Sequence, residues 1–182
     1  MVCSAPRGER PRIRLGSVAR RVLRALPVPV IVVPPDLVAV APGPILLATD
    51  LGPSSDEAVR FAVALAAAQG RELELVHVGE PRHSDLLDEL DPTWLHERHI
   101  YRAGVQATAD AWAAGHGLGD RLRHVRFGDR AEEIAAVAAG CNAALVVTGS
   151  RRMGLAGRLF STSTASALAG LADCAVAVVP GA

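Results

Sequence analysis

The feature that most constrains the fold is a regular alternation of short apolar runs with segments of helical length between residues 44 and 182. Short apolar runs bounded by turn residues are typical of buried strands, and the longer segments have helical periodicity. Repeated strand, helix, strand order favours a parallel sheet with right-handed crossovers and helices on both faces. The predicted strands are Ile45–Asp50, Leu73–Val78, Arg121–Phe127, Ala143–Thr148 and Ala175–Val179.

Two of these strands end on residues that suit ligand binding. The first ends on Asp50, and the fourth is followed by Gly149 and Ser150. In open parallel sheets, ligands bind beyond the carboxyl ends of the strands, where the strand order reverses. We therefore predict an α/β fold whose five-stranded parallel sheet has the order 3-2-1-4-5, which makes the first and fourth strands neighbours. An Asp before Gly-Pro can also simply make a local turn hydrogen bond.

The helix boundaries have their own signals. Ser54 and Glu57 have the spacing of a capping box, and so do Asp129 and Glu132. Gly70 follows the first predicted helix and is expected to end it in the left-handed conformation.

Composition narrows the function classes. Half of the residues are hydrophobic but 3% are aromatic, which suits a parallel sheet packed on alanine-rich helices. The net charge is zero and no apolar run reaches transmembrane length, so we expect neither a nucleic-acid nor a membrane partner. The cysteines and histidines form no metal or catalytic pattern, so we expect no metal, no catalytic residue and reduced thiols in a cytoplasmic protein. Pro27 and Pro29 interrupt the N-terminal apolar run, which disfavours a signal peptide.

The stretch from Val146 to Pro180 is the predicted anion-binding segment. It consists of a strand, a glycine-containing loop, a hydroxyl-rich helix start, a helix and a strand. A helix start offers free backbone N–H groups and the positive end of the helix dipole.

The sequence resembles the universal stress protein family along the whole length of residues 44–182, which includes this segment. The matching segments, in order, are ILLATD, LVHV, FGDRAEEI, LVVTGSR and CAVAVVP. The resemblance implies a Rossmann-like sheet of the adenine-nucleotide-binding type. It also implies a stress-response module that acts by binding and dimerisation rather than by catalysis, with ATP as the cofactor.

The resemblance further implies which residues form the nucleotide site. Thr49 and Asp50 would contact the ribose or the adenine, Val78 would contact the base, and Ser163 would bind a phosphate. The implied set is Ala48, Thr49, Asp50, Val78, Thr148, Gly149, Ser150, Arg152, Thr162, Ser163 and Thr164.

Two positions depart from the pattern of the nucleotide-binding branch. Arg152 and Thr162 replace glycines, and each adds a Cβ where the backbone would approach a phosphate. The alternative is an interaction or dimerisation domain with a degenerate loop, whose hydroxyl groups cap the last helix. A third hypothesis is an adenine-nucleotide hydrolase of related architecture. Such enzymes have a glycine- and serine-rich loop after the first strand, which residues 50–54 lack.

An internal repeat links the N-terminus to the predicted anion-binding segment. Residues 3–34 align without a gap on residues 149–180, and Gly16–Ser17 retains the family's Gly-Ser pair. We therefore expect residues 1–36 to be a remnant of a first universal stress protein domain, residues 37–43 to be a linker, and residues 44–182 to be a complete domain. The chain then resembles a truncated tandem protein.

The resemblance also predicts an assembly edge, because members of the family commonly dimerise through their last strand. We expect the edge of Ala175–Val179 to be covered in one of two ways. Val28–Val33 covers it within the chain as a pseudo-dimer, or a second chain covers it as a homodimer.

Overall fold

A computed structural model describes residues 21–23, 28–80, 92–150 and 164–181 of the chain. Within these ranges, a single sheet lies between helices on both of its faces. The strands are β1 (Val30–Val32), β2 (Ile45–Ala48), β3 (Leu73–Gly79), β4 (Arg123–Phe127), β5 (Leu145–Ser150) and β6 (Ala175–Pro180). The helices are α1 (Asp56–Gln69), α2 (Pro92–Gly115), α3 (Arg130–Gly140) and α4 (Thr164–Leu168).

The strand order in the sheet is β1-β6-β5-β2-β3-β4. Strands β2 to β6 run parallel to their neighbours, and β1 runs antiparallel to β6. The prediction of a five-stranded, all-parallel sheet is therefore wrong, because the described residues form a six-stranded mixed sheet. The sixth strand is present because Val30 and Val32 pack on the core while their backbone covers the edge of β6.

The core is divided by the sheet into two clusters of buried side chains. Cluster 1 lies on the face covered by α3 and α4 and includes Leu46, Val146 and Val176. Cluster 2 lies on the face covered by α1 and α2 and includes Ile45 and Leu47. Successive residues of a strand point to opposite faces, so a central strand such as β2 must be apolar at every position.

Two of the predicted helix boundaries are confirmed and one is wrong. The side chain of Asp129 caps α3 by accepting hydrogen bonds from two backbone N–H groups, and Gly70 ends α1 with a φ of 61°. The prediction that Ser54 is the N-cap of α1 is wrong, because α1 begins at Asp56 and its N-cap is Ser55. Instead, a short 3-10 turn at Pro53–Ser55 precedes α1, whose N-cap Ser55 makes no side-chain capping bond.

The end of the predicted linker is held in place by the side chain of Arg71. Arg71 Nη1 donates hydrogen bonds to the carbonyl oxygens of Ala41, at 3.0 Å, and Gly43, at 2.7 Å. A Cβ at Gly43 would lie 2.1 Å from the carbonyl oxygen of Asn142, so this close approach requires glycine. The chain therefore enters β2 from a fixed point.

Among the described residues, no helix is both long enough and apolar enough to cross a membrane.

Candidate functional site

The carboxyl ends of β2 and β5, two neighbouring strands in the middle of the sheet, lie next to each other. The register pairs Ala48 with Thr148, where β2 ends, while Gly149 and Ser150 continue along β6. On one side of β2 lies β3, and on the other lies β5, so the strand order reverses at this point. Residues 48–50 and 148–150, six of the sequence-predicted site residues, therefore lie at the carboxyl ends of two neighbouring strands.

The turn that follows β2 is organised by a chain of hydrogen bonds. The Leu51 N–H donates to Thr49 Oγ1 at 2.9 Å, and the Thr49 hydroxyl donates to Ser55 Oγ at 3.1 Å. The Ser55 hydroxyl then donates to Asp50 Oδ1 at 2.9 Å, and the Gly52 N–H donates to the same oxygen at 3.0 Å. Asp50 therefore makes the local turn bond that is expected for an Asp before Gly-Pro, while its side chain stays exposed.

The backbone beside Asp50 adopts a conformation that is uncommon for a residue with a side chain. Leu51 has a φ of 60°, which lies in the left-handed region. For a residue with a Cβ, this conformation costs about 1–2 kcal/mol. The hydrogen bond from the Leu51 N–H to Thr49 helps to stabilise it. The turn thus contains local strain next to the exposed carboxylate, and strain of this kind is frequent at functional sites.

The remaining predicted site residues have different environments. Val78 is 6% exposed and packs in cluster 1, and Thr148 is buried with its hydroxyl 3.4 Å from the carbonyl oxygen of Gly149. Thr164 is half-buried at the start of α4. Arg152, Thr162 and Ser163 lie outside the described residues.

Two residues that the sequence did not single out hold the Thr49–Asp50 turn in position. Ser55 links Thr49 to Asp50, as described above. His77 Nδ1 lies 2.9 Å from the carbonyl oxygen of Thr49, so this nitrogen carries the proton and donates. The sequence gives only weak indications of these roles. Ser55 is a hydroxyl residue five positions after the strand-end Asp50, and His77 is a polar residue within an apolar strand.

A small cavity separates this part of the sheet from α2. Its lining includes His77, Trp112 and Arg123, and its volume of about 10 Å³ is enough for a single water. The cavity is therefore too small for a nucleotide, and we assign His77 a role in fixing the turn.

A family model describes the region that contains all these elements. The model of the universal stress protein family matches residues 43–180. The chain belongs to the universal stress protein family. The resemblance seen in the sequence is thereby confirmed.

Solved structures agree with the assignment to the universal stress protein fold. A functionally unknown protein from Pseudomonas aeruginosa PAO1 is 22% identical, with a TM-score of 0.68, over 96% of this chain and 60% of its own. A universal stress protein from Archaeoglobus fulgidus DSM 4304 is 24% identical, with a TM-score of 0.61, over 93% of this chain and 57% of its own. This chain therefore spans about three fifths of the length of these proteins.

A shorter structure matches a smaller part of the chain. It is a universal stress protein in complex with cAMP, 24% identical with a TM-score of 0.54, and the match covers 78% of this chain and 99% of its own. No curated protein matches the chain at a significant level.

Neither described cysteine of this universal stress protein has the properties of a nucleophile. Burial raises the pKa of the Cys174 thiol to about 11, and it also raises the pKa of Cys141. Both thiols are therefore protonated at neutral pH, whereas nucleophilic cysteines have a lowered pKa. Within the described ranges, no group of three or more His, Cys, Asp or Glu side chains could hold a metal ion.

Proposed function

We propose that this universal stress protein is a stress-response module that binds an adenine nucleotide in the crevice between the carboxyl ends of β2 and β5. The supporting observation is the position of Asp50, whose exposed carboxylate is oriented by Ser55 and Gly52 at the reversal of strand order. A carboxylate at this point can accept hydrogen bonds from ribose hydroxyl groups.

The strand that borders the crevice supports the same assignment. Gly149 and Ser150 are half-buried at the end of β5, where a small residue leaves the backbone open to a ligand. The related structure in complex with cAMP supports an adenine nucleotide as the ligand class. On the sequence, the phosphates would bind along the segment that contains Arg152, Thr162 and Ser163.

The test is calorimetric titration of the full chain with ATP and with cAMP. We expect micromolar binding of at least one of them. Asp50→Asn keeps an oxygen that can accept from Ser55 and Gly52 but removes the charge, so the fold is kept while affinity falls by at least about tenfold. Asp50→Ala should also abolish binding.

The matched control for the titration is Asp120→Ala. Asp120 is exposed and precedes β4, so it lies near the amino ends of the strands, away from the proposed site. Removal of its carboxylate should therefore not change the affinity. An unchanged affinity of Asp50→Asn would show that the site is misplaced. If neither nucleotide binds at millimolar concentration, the nucleotide-binding proposal is wrong.

A second candidate function is an interaction domain whose crevice binds no nucleotide. It is favoured because polar atoms beside the crevice already make hydrogen bonds within the protein. Asp50 Oδ1 accepts two hydrogen bonds, and the Thr148 hydroxyl donates to the carbonyl oxygen of Gly149. The same titration separates the two functions, because this candidate predicts no binding of either nucleotide.

We infer that the module acts by binding and assembly rather than by catalysis. The protonated thiols described above and the engaged Asp50 support this inference. Incubation of the chain with ATP should release no phosphate above the rate in buffer, and phosphate release that is lost in Asp50→Asn would contradict it. For assembly, we propose that the edge of β6 is the pairing surface of the module, and that β1 covers this edge within the chain as an intramolecular pseudo-dimer.

A further inference from the structure

His116, which directly follows α2, has an oxygen atom within hydrogen-bond distance of each nitrogen of its ring. Nδ1 lies 2.8 Å from the carbonyl oxygen of Trp112, in the last turn of α2, and Nε2 lies 3.2 Å from Asp56 Oδ1, at the start of α1. A carbonyl oxygen and an ionised carboxylate can only accept hydrogen bonds, so a ring that makes both bonds carries a proton on each nitrogen. The contacts are therefore those of a positively charged imidazolium.

A neutral His116 ring cannot make both hydrogen bonds. In either neutral tautomer, one nitrogen presents a lone pair to an oxygen atom, so the connection to Trp112 or the connection to Asp56 is lost. The ring is also held in place, because its centroid lies 4.1 Å from that of the Trp112 ring and the backbone N–H of His116 donates to the Trp112 carbonyl oxygen. Loss of a proton therefore weakens the contact between the two helices.

The charges around His116 favour the ion pair with Asp56. A positive charge at the C-terminal end of α2 and a negative charge in the first turn of α1 are both stabilised by the helix dipoles. Among the described residues, Asp56 is the one acidic side chain that forms an ion pair with His116. Neighbouring charged and titratable side chains of α1, α2, β3 and β4 have partners of their own, which are Arg60 for Glu57, Asp110 for Arg123 and the Thr49 carbonyl oxygen for His77.

The first residue of α1 connects His116 to the proposed nucleotide site. Asp56 directly follows Ser55, whose hydroxyl donates to Asp50 Oδ1. Because this hydroxyl binds Asp50, Ser55 makes no side-chain capping bond to α1. The start of the helix is instead connected to α2 through Asp56 and His116. A shift of Asp56 therefore moves Ser55 and the carboxylate that Ser55 orients.

Trp112 provides a second and independent connection. The small cavity between α2 and the sheet is lined by Trp112 together with Thr49 and Leu51, the residues on either side of Asp50. Its volume of about 10 Å³ leaves little room for movement between the helix and the turn. The Trp112–His116 pair is therefore coupled to the turn that holds Asp50 both by packing and through the ion pair.

We propose that His116 is a pH-sensitive positioning residue for the nucleotide crevice. Its imidazolium connects the end of α2 to the start of α1 and thereby holds Ser55, and with it the Asp50 carboxylate, in the orientation that a ribose requires. When the ring loses a proton, this connection is broken and the affinity for nucleotide falls. The inference rests on the proposed nucleotide site, but the coupling between His116 and the turn is measurable without any nucleotide.

The first experiment uses the full chain without nucleotide. NMR between about pH 5 and 8, where histidine side chains commonly change charge, measures the nitrogen shifts of the His116 ring and the amide shift of Gly52. Gly52 donates to Asp50 Oδ1, so its amide reports on the turn. We expect both ring nitrogens to be protonated at the low end of this range. The Gly52 shift should follow His116 with the same midpoint.

Two variants show whether the response of the turn comes from His116. His116→Phe keeps an aromatic ring on Trp112 but has no ring nitrogen, so the response should disappear. His124→Gln is the matched control. His124 Nε2 also pairs with a carboxylate, that of Glu74 at 2.8 Å, but the register places its side chain on the face of cluster 1, away from α2. The response of the turn should therefore remain in His124→Gln.

The second experiment measures the affinity of the full chain for cAMP by calorimetry at about pH 5.5 and about pH 8. The phosphodiester of cAMP keeps one negative charge over this range, so a change in affinity comes from the protein. We expect the Kd of the parent chain to rise by at least about threefold between the two pH values. In His116→Phe, the Kd should have the higher value at both.

Asp56→Asn is the conservative rescue. Its amide oxygen can accept from a protonated Nε2 of His116, and its amide N–H can donate to an unprotonated Nε2, so the pair can form in both charge states. The affinity of this variant should therefore keep the parent's low-pH value at high pH, and Gly52 should no longer respond to pH. An affinity that is lowered at both pH values would indicate a purely structural role of Asp56 and would contradict the proposal.

These results separate the inference from the proposed function. The inference is wrong if Gly52 responds equally in the parent chain and in His116→Phe, or if cAMP binds with an affinity that does not change with pH. In the second case the nucleotide-binding function still holds. If neither ATP nor cAMP binds, the proposed function is wrong, and the response of Gly52 alone decides whether His116 positions the turn. The titrations of the parent chain and of Asp56→Asn remain decisive if His116→Phe does not fold.

Discussion

Strands β1 and β6 have closely related sequences and very different surroundings. In β6, the residues from Ala175 to Val179 are all buried, and the strand has β5 on one side and β1 on the other. In β1, the strand has one neighbour, and Ile31 is 49% exposed whereas its equivalent Ala177 is 0% exposed. The same apolar pattern is therefore buried in one copy and half-exposed in the other.

This difference shows that an apolar, β-branched segment favours a strand wherever it occurs in the chain. The stabilisation that the strand provides depends on how many neighbouring strands and helices cover it. We expect equivalent substitutions in the two copies to have unequal effects on the free energy of unfolding.

The largest difference is expected for Val178→Asp against Val32→Asp. Val178 is completely buried, so an unpaired carboxylate there should cost about 4 kcal/mol or more and prevent folding. Val32 is half-buried at the edge, so the cost should be about 1–2 kcal/mol, with the domain still folded. Urea unfolding followed by circular dichroism measures both. Equal losses in the two variants would remove the basis of the comparison.

A smaller difference in the free energy of unfolding is expected between two single variants, in which the central residue of each strand is replaced by its equivalent from the other strand. Ala177→Ile adds volume to cluster 2 and should lower the free energy of unfolding by about 1–3 kcal/mol. Ile31→Ala removes an exposed side chain, so the change should stay within about 0.5 kcal/mol. The same urea titrations apply, and a large loss for Ile31→Ala would show that the edge strand is a major source of stability.

The smallest effect concerns pH and the residue before β6. Burial raises the pKa of Cys174 from 9.0 to about 11. Between these values the unfolded chain loses the thiol proton and the folded chain keeps it, so the free energy of unfolding should fall as pH rises from 9 to 11. Below pH 9, both states keep the proton and the contribution to stability is complete.

Cys174→Ala measures this contribution. It should weaken the fall in stability above pH 9 relative to the parent chain, while Cys141 remains in both chains. The equivalent residue in the first copy, Val28, is 58% exposed, so a thiol in Val28→Cys should add no such pH dependence. A pH profile of Cys174→Ala that matches the parent would contradict the assigned effect of burial.

Much of the fold could be predicted from local sequence signals. The apolar run at β2, the caps at Asp129 and Gly70, and the position of β4 at the sheet edge are each indicated by a few consecutive residues. The N-cap at Ser54 was mispredicted because the chain forms an additional 3-10 turn before α1, which moves the N-cap to Ser55. The Ser55 hydroxyl donates to Asp50 and makes no capping bond.

The candidate site could be predicted less completely. Asp50, Gly149 and Ser150 follow from the rule that ligands bind at strand ends. By contrast, the hydrogen bond between His77 and Thr49 joins β3 to the turn that follows β2 and has no local signature in the sequence.

By itself, the sequence determined which segments form strands and helices, which family the chain resembles, and that its first residues repeat its last ones. These properties depend on residues that are close in the chain or on a direct comparison of two segments. The tertiary structure alone decided that β1 runs antiparallel on β6 with Ile31 opposite Ala177. That register results from contacts between segments far apart in the chain, where backbone hydrogen bonding and burial on cluster 1 must be satisfied together.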